Sequence, residues 1–304
     1  MKFIVVLVFA LFHLAAIAQL NVTKVEKIPL DQSKQWSNPQ FSPDGKSIYL
    51  TTPDYQGIWE YSLTTKAQRL ITDDARSGFG FVLSPDGKKI AYRRTLNEKN
   101  SQGRVQEIVV KELSTSSTQV LASGSDLSTP SFAGTKVIYS EDVSTKNLEA
   151  SAAVGKPIIL GIENTKIALA ENGNKRLLDP LKNGSYVWPL LSPDAKKIVA
   201  SDMSKGAFVC DLKGKVLARL GKRNAAVWTR DGRWLIYMND KDDGHNIISS
   251  DLFCISPDGK RMKQLTFTNN EIELYPQCSP VENQIVCSTL DGDIMMLTYE
   301  EVKR

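Results

Sequence analysis

One hairpin motif recurs along the chain, and it limits the possible folds more than any other feature. Ser42-Pro43-Asp44-Gly45-Lys46-Ser47-Ile48-Tyr49 returns as Ser84-Pro85-Asp86-Gly87-Lys88-Lys89-Ile90-Ala91-Tyr92 and as Ser192-Pro193-Asp194-Ala195-Lys196-Lys197-Ile198-Val199. A weaker copy is Thr229-Arg230-Asp231-Gly232-Arg233-Trp234-Leu235-Ile236-Tyr237, and degenerate copies start at Ser131 and at Ser279-Pro280. Proline sets φ for the first corner of a turn, and Asp-Gly tolerates a corner with positive φ. The Lys-x-Ile-x-Tyr that follows alternates polar and apolar, as a half-buried strand does. Further strand-like runs follow the copies, such as Ile58-Trp59-Glu60-Tyr61 and Arg69-Leu70-Ile71-Thr72 after the first.

Six copies at intervals of roughly 40–50 residues match the repeat of a four-stranded propeller blade. The expected fold is therefore all-β, a six-bladed β-propeller of four-stranded antiparallel blades. A β-sandwich would not repeat one hairpin six times, and a solenoid would need caps. The long interval from Ser131 to Ser192 implies an insertion over 142–166, helix-compatible at 147–154 and strand-like at 156–162. The last repeat runs short after Ile294-Met295-Met296-Leu297, whereas a spare strand-like segment, 22–30, precedes the first repeat. That segment is expected to complete the last blade and close the ring, which removes the open sheet edges.

Lys2, an apolar run from Phe3, and Ala16-Ile17-Ala18 read as a secretory signal with cleavage after Ala18. The expected organisation is a signal peptide over 1–18 and one propeller domain over 19–304, placed in the periplasm or secreted as a monomer. No later segment reads as a membrane span. The net charge of +4 is spread along the chain, so no nucleic-acid footprint is expected. Cys210, Cys254 and Cys287 lie in strand-like runs, and none of the four cysteines, Cys278 included, has zinc spacing. Buried free thiols are the reading adopted.

The Ser-Pro-Asp-Gly-Lys hairpins, with an aromatic strand and a Leu-Thr end, resemble the propeller repeats of the TolB family. They are also similar to the propellers attached to prolyl-oligopeptidase-type peptidases. The resemblance runs from Trp36 to about Leu297. It implies a propeller, and for TolB an envelope role. TolB carries an α/β domain before its propeller, and the 17 residues from Gln19 to Gln35 leave no room for one. The peptidases carry a Gly-x-Ser-x-Gly elbow, which is absent here.

Catalytic sets are scarce. After signal removal His245 is the remaining histidine, so a Ser-His-Asp triad would have to use it. It lies in a polar loop with Asp242 and Asp243, three weak candidates for a metal site, although such clusters are more often solvated turns. No catalytic residue and no cofactor is assigned. A partner would bind at the channel mouth, where the loops into the inner strands carry Trp36, Asp73, Asp74, Arg76, Phe79, Tyr186, Trp188, Arg223, Glu271 and Tyr275. Aromatics and arginines are the usual anchors. Trp36, Arg76, Tyr186 and Arg223 are expected to be exposed, Trp188 and Tyr275 equally to face the mouth or to fill space between blades. Trp59, Tyr61, Trp228 and Trp234 are expected in the core. The function expected is binding or scaffolding of a protein in the bacterial envelope. The alternative is a glycan-binding or glycan-cleaving propeller using acidic and aromatic loop residues.

Overall fold

The computed structural model describes residues 18–96, 105–141, 144–268 and 270–303. They form seven antiparallel sheets, five of four strands and two of three. From the axis outward, blade one is Ser37–Phe41, Ser47–Thr51, Ile58–Ser62 and Gln68–Thr72; blade two is Val82–Leu83, Lys89–Leu96, Val105–Glu112 and Thr118–Gly124. Blade three is Ser131–Ala133, Lys136–Glu141 and Ser144–Lys146; blade four is Ile158–Glu163, Lys166–Glu171 and Asn174–Leu178. Blade five is Tyr186–Leu191, Lys197–Asp202, Gly206–Asp211 and Val216–Gly221; blade six is Asn224–Trp228, Leu235–Asp242, Ile247–Ile255 and Met262–Gln264. Blade seven is Glu273–Cys278, Gln284–Thr289 and Ile294–Lys303, with Ala18–Lys27 as its outermost strand.

The ring thus has seven blades rather than the expected six. The missing blade begins inside the stretch read as an insertion and runs on beyond it to Leu178. Its two local readings hold, since a helix forms at Ala150–Val154 and a strand at Ile158–Glu163. They are the lead-in and first strand of blade four. No Ser-Pro-Asp-Gly marks this blade because its first hairpin turns over Asn164-Thr165, with φ of 48° and 65°. Two left-handed residues make the two-residue turn that twisted hairpins favour, and that turn has no need of proline.

Blade four also runs the other way. In the other blades the chain crosses over on one face, descends the inner strand, and turns on the opposite face. These are called the crossover face and the turn face. The Asn164-Thr165 turn instead touches the start of blade five: Tyr186 N–H donates to Thr165 O at 3.1 Å, and Thr165 Oγ1 donates to Gly184 O at 3.2 Å. The innermost strand of blade four therefore ascends. Blade three ends after three strands on the turn face, where the helix carries the chain into blade four.

The turn chemistry explains the motif. Ser42 Oγ donates to Asp44 Oδ1 at 2.6 Å, the carboxylate accepts Lys46 N–H at 3.1 Å, and Ser42 Oγ accepts Ser47 N–H at 3.0 Å. Ser84–Asp86, Ser192–Asp194 and Thr229–Asp231 repeat the first bond at 2.6, 2.6 and 2.8 Å. The turns also interlock. A Cβ at Gly87 or Gly232 would meet the proline ring of the preceding turn, Pro43 or Pro193. A Cβ at Gly45 would lie 2.2 Å from Val281 of blade seven.

There is no single core. Seven apolar clusters fill the seven seams between blades. The seam of blades six and seven is the largest and holds Leu20 of the closing strand against Trp234, Ile236 and Leu252. The seam of blades three and four is the smallest, with Ala133, Ile138 and Ala150 as its buried members.

The expected closure is present, with shifted bounds. Ala18–Lys27 pairs antiparallel with Ile294–Lys303, from Ala18 opposite Lys303 to Lys27 opposite Met295. Residues 28–30 leave the sheet, and Ile28 and Leu30 are buried beside Trp36.

Two predictions follow from these interactions. Leu20→Ala should lower stability by about 2–5 kcal/mol, as buried leucine truncations do, whereas Val25→Ala on the exposed side of the same strand should cost under ~1 kcal/mol; urea unfolding checks both. Hydrogen bonds from Ser42, Ser84 and Ser192 hold the carboxyls of Asp44, Asp86 and Asp194 below their ordinary values. Stability from these turns is present above a pH of about 4 and lost as pH falls further, so the urea midpoint should drop in acid, and less so in Asp44→Asn.

Candidate functional site: the axial channel

The inner strands share a backbone irregularity. Four residues before the serine, threonine or Ser-Pro of the turn stand Asn38, Gly80, Trp188, Ala225 and Tyr275, with φ of 49°, 70°, 52°, 49° and 53°. In blades one, five, six and seven the pairing register shifts at this point, which marks a β-bulge. A bulge re-aims a side chain and increases the local twist. Holding a non-glycine residue in this region costs on the order of 1–3 kcal/mol. Here the effect is to turn Asn38, Trp188 and Tyr275 into the axis.

The channel they line has a volume of about 510 Å³ and receives residues from all seven blades. Tyr55, Phe79, Trp188 and Tyr275 supply aromatic surface; Asn38, Gln40 and Gln277 supply amides; no lining side chain is charged. Tyr55 and Phe79 meet edge to face at 5.2 Å, and the Arg93 guanidinium sits 5.7 Å from the Phe79 ring. Burial pushes the Tyr275 phenol up, and the nearby Tyr55 adds to it. Toward the turn face the channel continues into a cavity of about 280 Å³, through the shared residues Leu190, Val227 and Gln277. A larger cleft, about 790 Å³, lies between the turns of blades one and two. Its Asp44 and Asp86 are occupied by their own turns, and its Arg69 pairs with Glu60 at 2.5 Å.

The two faces differ. Phe79, Trp188, Met203, Ile248, Phe267 and Leu290 are exposed on the crossover face, with Met203 and Phe267 each 76% accessible. Among the described residues Val154 and Val281 are exposed at the turn face, and Leu217, Met262 and Val302 are exposed at the turn-face ends of outer strands.

No family model matches the sequence, and no curated protein matches it significantly. Solved structures do resemble it. TolB from Acinetobacter baumannii superposes with a TM-score of 0.52 at 20% identity, over 78% of this chain and 56% of TolB. The chain thus spans little more than half the length of that relative. An oligogalacturonate lyase in complex with manganese gives a TM-score of 0.52 at 14% identity, over 88% of this chain and 78% of the lyase. A chain of a mitotic checkpoint complex gives 0.59 at 11% identity, over 100% of this chain and 98% of that one. The fold is a β-propeller. Identities this low carry the fold alone.

The propeller separates the residues expected at its mouth. Trp188, Tyr275 and Phe79 line the channel. Trp36 and Tyr186 do not reach the mouth and are each 2% exposed. Trp36 Nε1 donates to Asp31 O at 2.9 Å and meets Trp59 edge on. Tyr186 Oη donates to Asp179 at 2.7 Å and meets Phe208 edge on. Both stand two residues before the bulge, where the side chain packs between blades. Arg223 occupies the same position in blade six, 5.4 Å from the Tyr237 ring and 3.4 Å from the Met262 sulfur.

The acidic candidates are engaged. Asp74 accepts Tyr92 Oη–H at 2.8 Å and pairs with Arg94 at 3.1 Å. Glu271 pairs with Lys27 at 2.9 Å. Asp73 and Arg76 are exposed on the crossover face, where Arg76 donates to Asp54 O at 3.3 Å. Asp242, Asp243 and His245 form the tip of the long middle hairpin of blade six. Asp242 accepts Gly244 N–H at 3.1 Å and pairs with Lys222 at 3.2 Å; Asp243 accepts the N–H groups of His245 and Asn246 at 2.9 and 2.8 Å. The carboxylates cap their own turn, and no group of three or more His, Cys, Asp or Glu among the described residues is placed to hold a metal. The four cysteines are free; burial raises the Cys254 thiol to about 11 and the Cys210 thiol to about 12. Trp228, Trp234 and Tyr61 are in the core as expected, and Trp59 packs at its margin.

The contrast gives a test. Trp36→Ala should cost about 3–5 kcal/mol, as deletion of a buried tryptophan does, whereas Trp188→Ala should change stability by under ~1 kcal/mol. Thermal melts of the two variants distinguish a packing tryptophan from a channel-lining one.

Proposed function

We propose that this chain is an exported, non-catalytic binding propeller of the bacterial cell envelope that holds a protein partner at the crossover-face mouth of its channel. The observation that carries the reading is the uncharged, aromatic channel opening onto a face that exposes Phe79, Met203, Ile248, Phe267 and Leu290. Such a surface suits an apolar or aromatic anchor from a partner, with the polar loops around it as rim. Asp73 and Arg76 belong to that rim in this reading, whereas Arg223 packs between blades. The likeness of fold to TolB supports a protein partner. Export rests on the leader over 1–18, whose residues before Ala18 lie outside the described residues. Among the described residues no helix is long and apolar enough to cross a membrane.

The second reading is glycan binding, favoured by Trp188 at 41% exposure beside Tyr275 and the channel amides, since aromatic faces and amides also hold neutral sugars. The oligogalacturonate lyase is a propeller of similar fold. Cleavage has less support, because Asp74 and Glu271 are tied in ion pairs.

The test is cross-linking of purified 19–304 with envelope extract, followed by affinity measurement on the captured protein. Trp188→Ala with Tyr275→Ala should weaken binding at least about tenfold, corresponding to ~1.4 kcal/mol, with the fold unchanged. Loss of binding from turn-face substitutions instead, or retention of neutral polysaccharide in place of protein, would overturn the reading.

A further inference from the structure

At the seam of blades six and seven, three acceptors share one hydroxyl proton. Thr268 Oγ1 lies 2.7 Å from Glu273 Oε1, 3.2 Å from Glu271 O and 3.5 Å from Asp251 Oδ1. A single hydroxyl can donate to one of them at a time. Glu273 is 1% exposed, and its Oε2 is buried with no hydrogen-bond partner. Asp251, on the third strand of blade six, is better served: it accepts from Gln264 Nε2 at 3.1 Å, from Thr268 N–H at 3.2 Å and from the Thr266 hydroxyl at 3.5 Å. An ionised carboxylate with one buried oxygen lacking a donor is costly, and a protonated one supplies a further donor to the cluster.

We propose that Glu273 is a proton-operated latch on the loop joining blade six to blade seven. With its carboxyl protonated, the Glu273 hydroxyl donates within the cluster and Thr268 is free to bond Asp251 or Glu271 O. Residues 265–268 and 270–272 are then held between the blades, with the exposed Phe267 at their tip. With the carboxyl ionised, Glu273 and Asp251 face each other across Thr268, and the loop releases. The charged and titratable groups around Glu273 are Asp251 from blade six, Glu271 on the loop, and Cys287 on the second strand of blade seven. Beyond Glu271, Lys27 of the closing strand pairs with both Glu271 and Asp293, at 2.9 and 2.8 Å. Burial, with Asp251 adding, pushes the Glu273 carboxyl up to about 7, in line with this geometry.

The sign follows from linkage. A carboxyl raised in the closed state binds its proton more tightly there than in the open one. The latch is fully closed below the open-state value of about 4.5 and weakens about tenfold per pH unit until it levels off near 7. The experiment is hydrogen-exchange mass spectrometry on the folded chain, at pH 5.5 and 8 and corrected for intrinsic rates, reading peptides that span 262–275. Wild type should lose protection roughly thirtyfold across that interval, and Glu273→Gln should lose almost none. Asp251→Asn removes the facing charge and should move the levelling-off point below 7. Equal loss in wild type and Glu273→Gln, or loss spread over all blades, would overturn the latch. So would recovery of protection at pH 8 on adding calcium, since a cation rather than a proton would then satisfy the free oxygen.

Discussion

Everything in this molecule depends on closing a circle. A blade is apolar on both of its flat faces, and only its two neighbours can cover them. Seven seam clusters do this work. The pairing of Ala18–Lys27 with Ile294–Lys303 joins the two ends of the chain and supplies Leu20 to the largest seam. Its loop-closure cost is large because nearly the whole chain lies between the partners. The Ser-Asp turns, and the approach of Pro43 and Pro193 to the glycines of the next turns, Gly87 and Gly232, set the spacing on the turn face.

The repeat was legible because it encodes a turn with its own chemistry. Its limit has the same cause, since Ser-Pro-Asp-Gly reports a turn and not a blade. Ser256-Pro257-Asp258-Gly259 makes the same bond, Ser256 to Asp258 at 2.6 Å, between the outer two strands of blade six. Blade four uses Asn164-Thr165 and escaped the count for the opposite reason. Its ascending inner strand could not be read at all from local pattern. It follows from where the helix after blade three leaves the chain.

The channel was half legible. Aromatic residues before the turns pointed to the mouth, yet a strand with one bulge changes which of them turn inward. Trp36 and Trp188 look alike in sequence context, and one is buried between blades while the other lies in the axis. Counting back four residues from the turn hydroxyl selects Asn38, Trp188 and Tyr275, the residues that precede Pro39, Pro189 and Pro276. The charged loop residues were misleading for a general reason. Asp, Glu and Arg at a blade edge are often spent on ion pairs, as Asp74 and Glu271 are.

The antiparallel closing pair fixes more than stability. It places Ala18 beside Lys303, and both strands reach that point at the turn face. The chain therefore enters the ring at Ala18 and leaves it at Lys303 side by side, on the side away from the channel's crossover-face mouth. Anything tethered to either end, whether a surface or another domain, would hang the ring from one point with its mouth facing outward. A fusion at either end would leave the crossover face open. A circular permutant joining the two ends with a short linker would disturb neither the seams nor the channel.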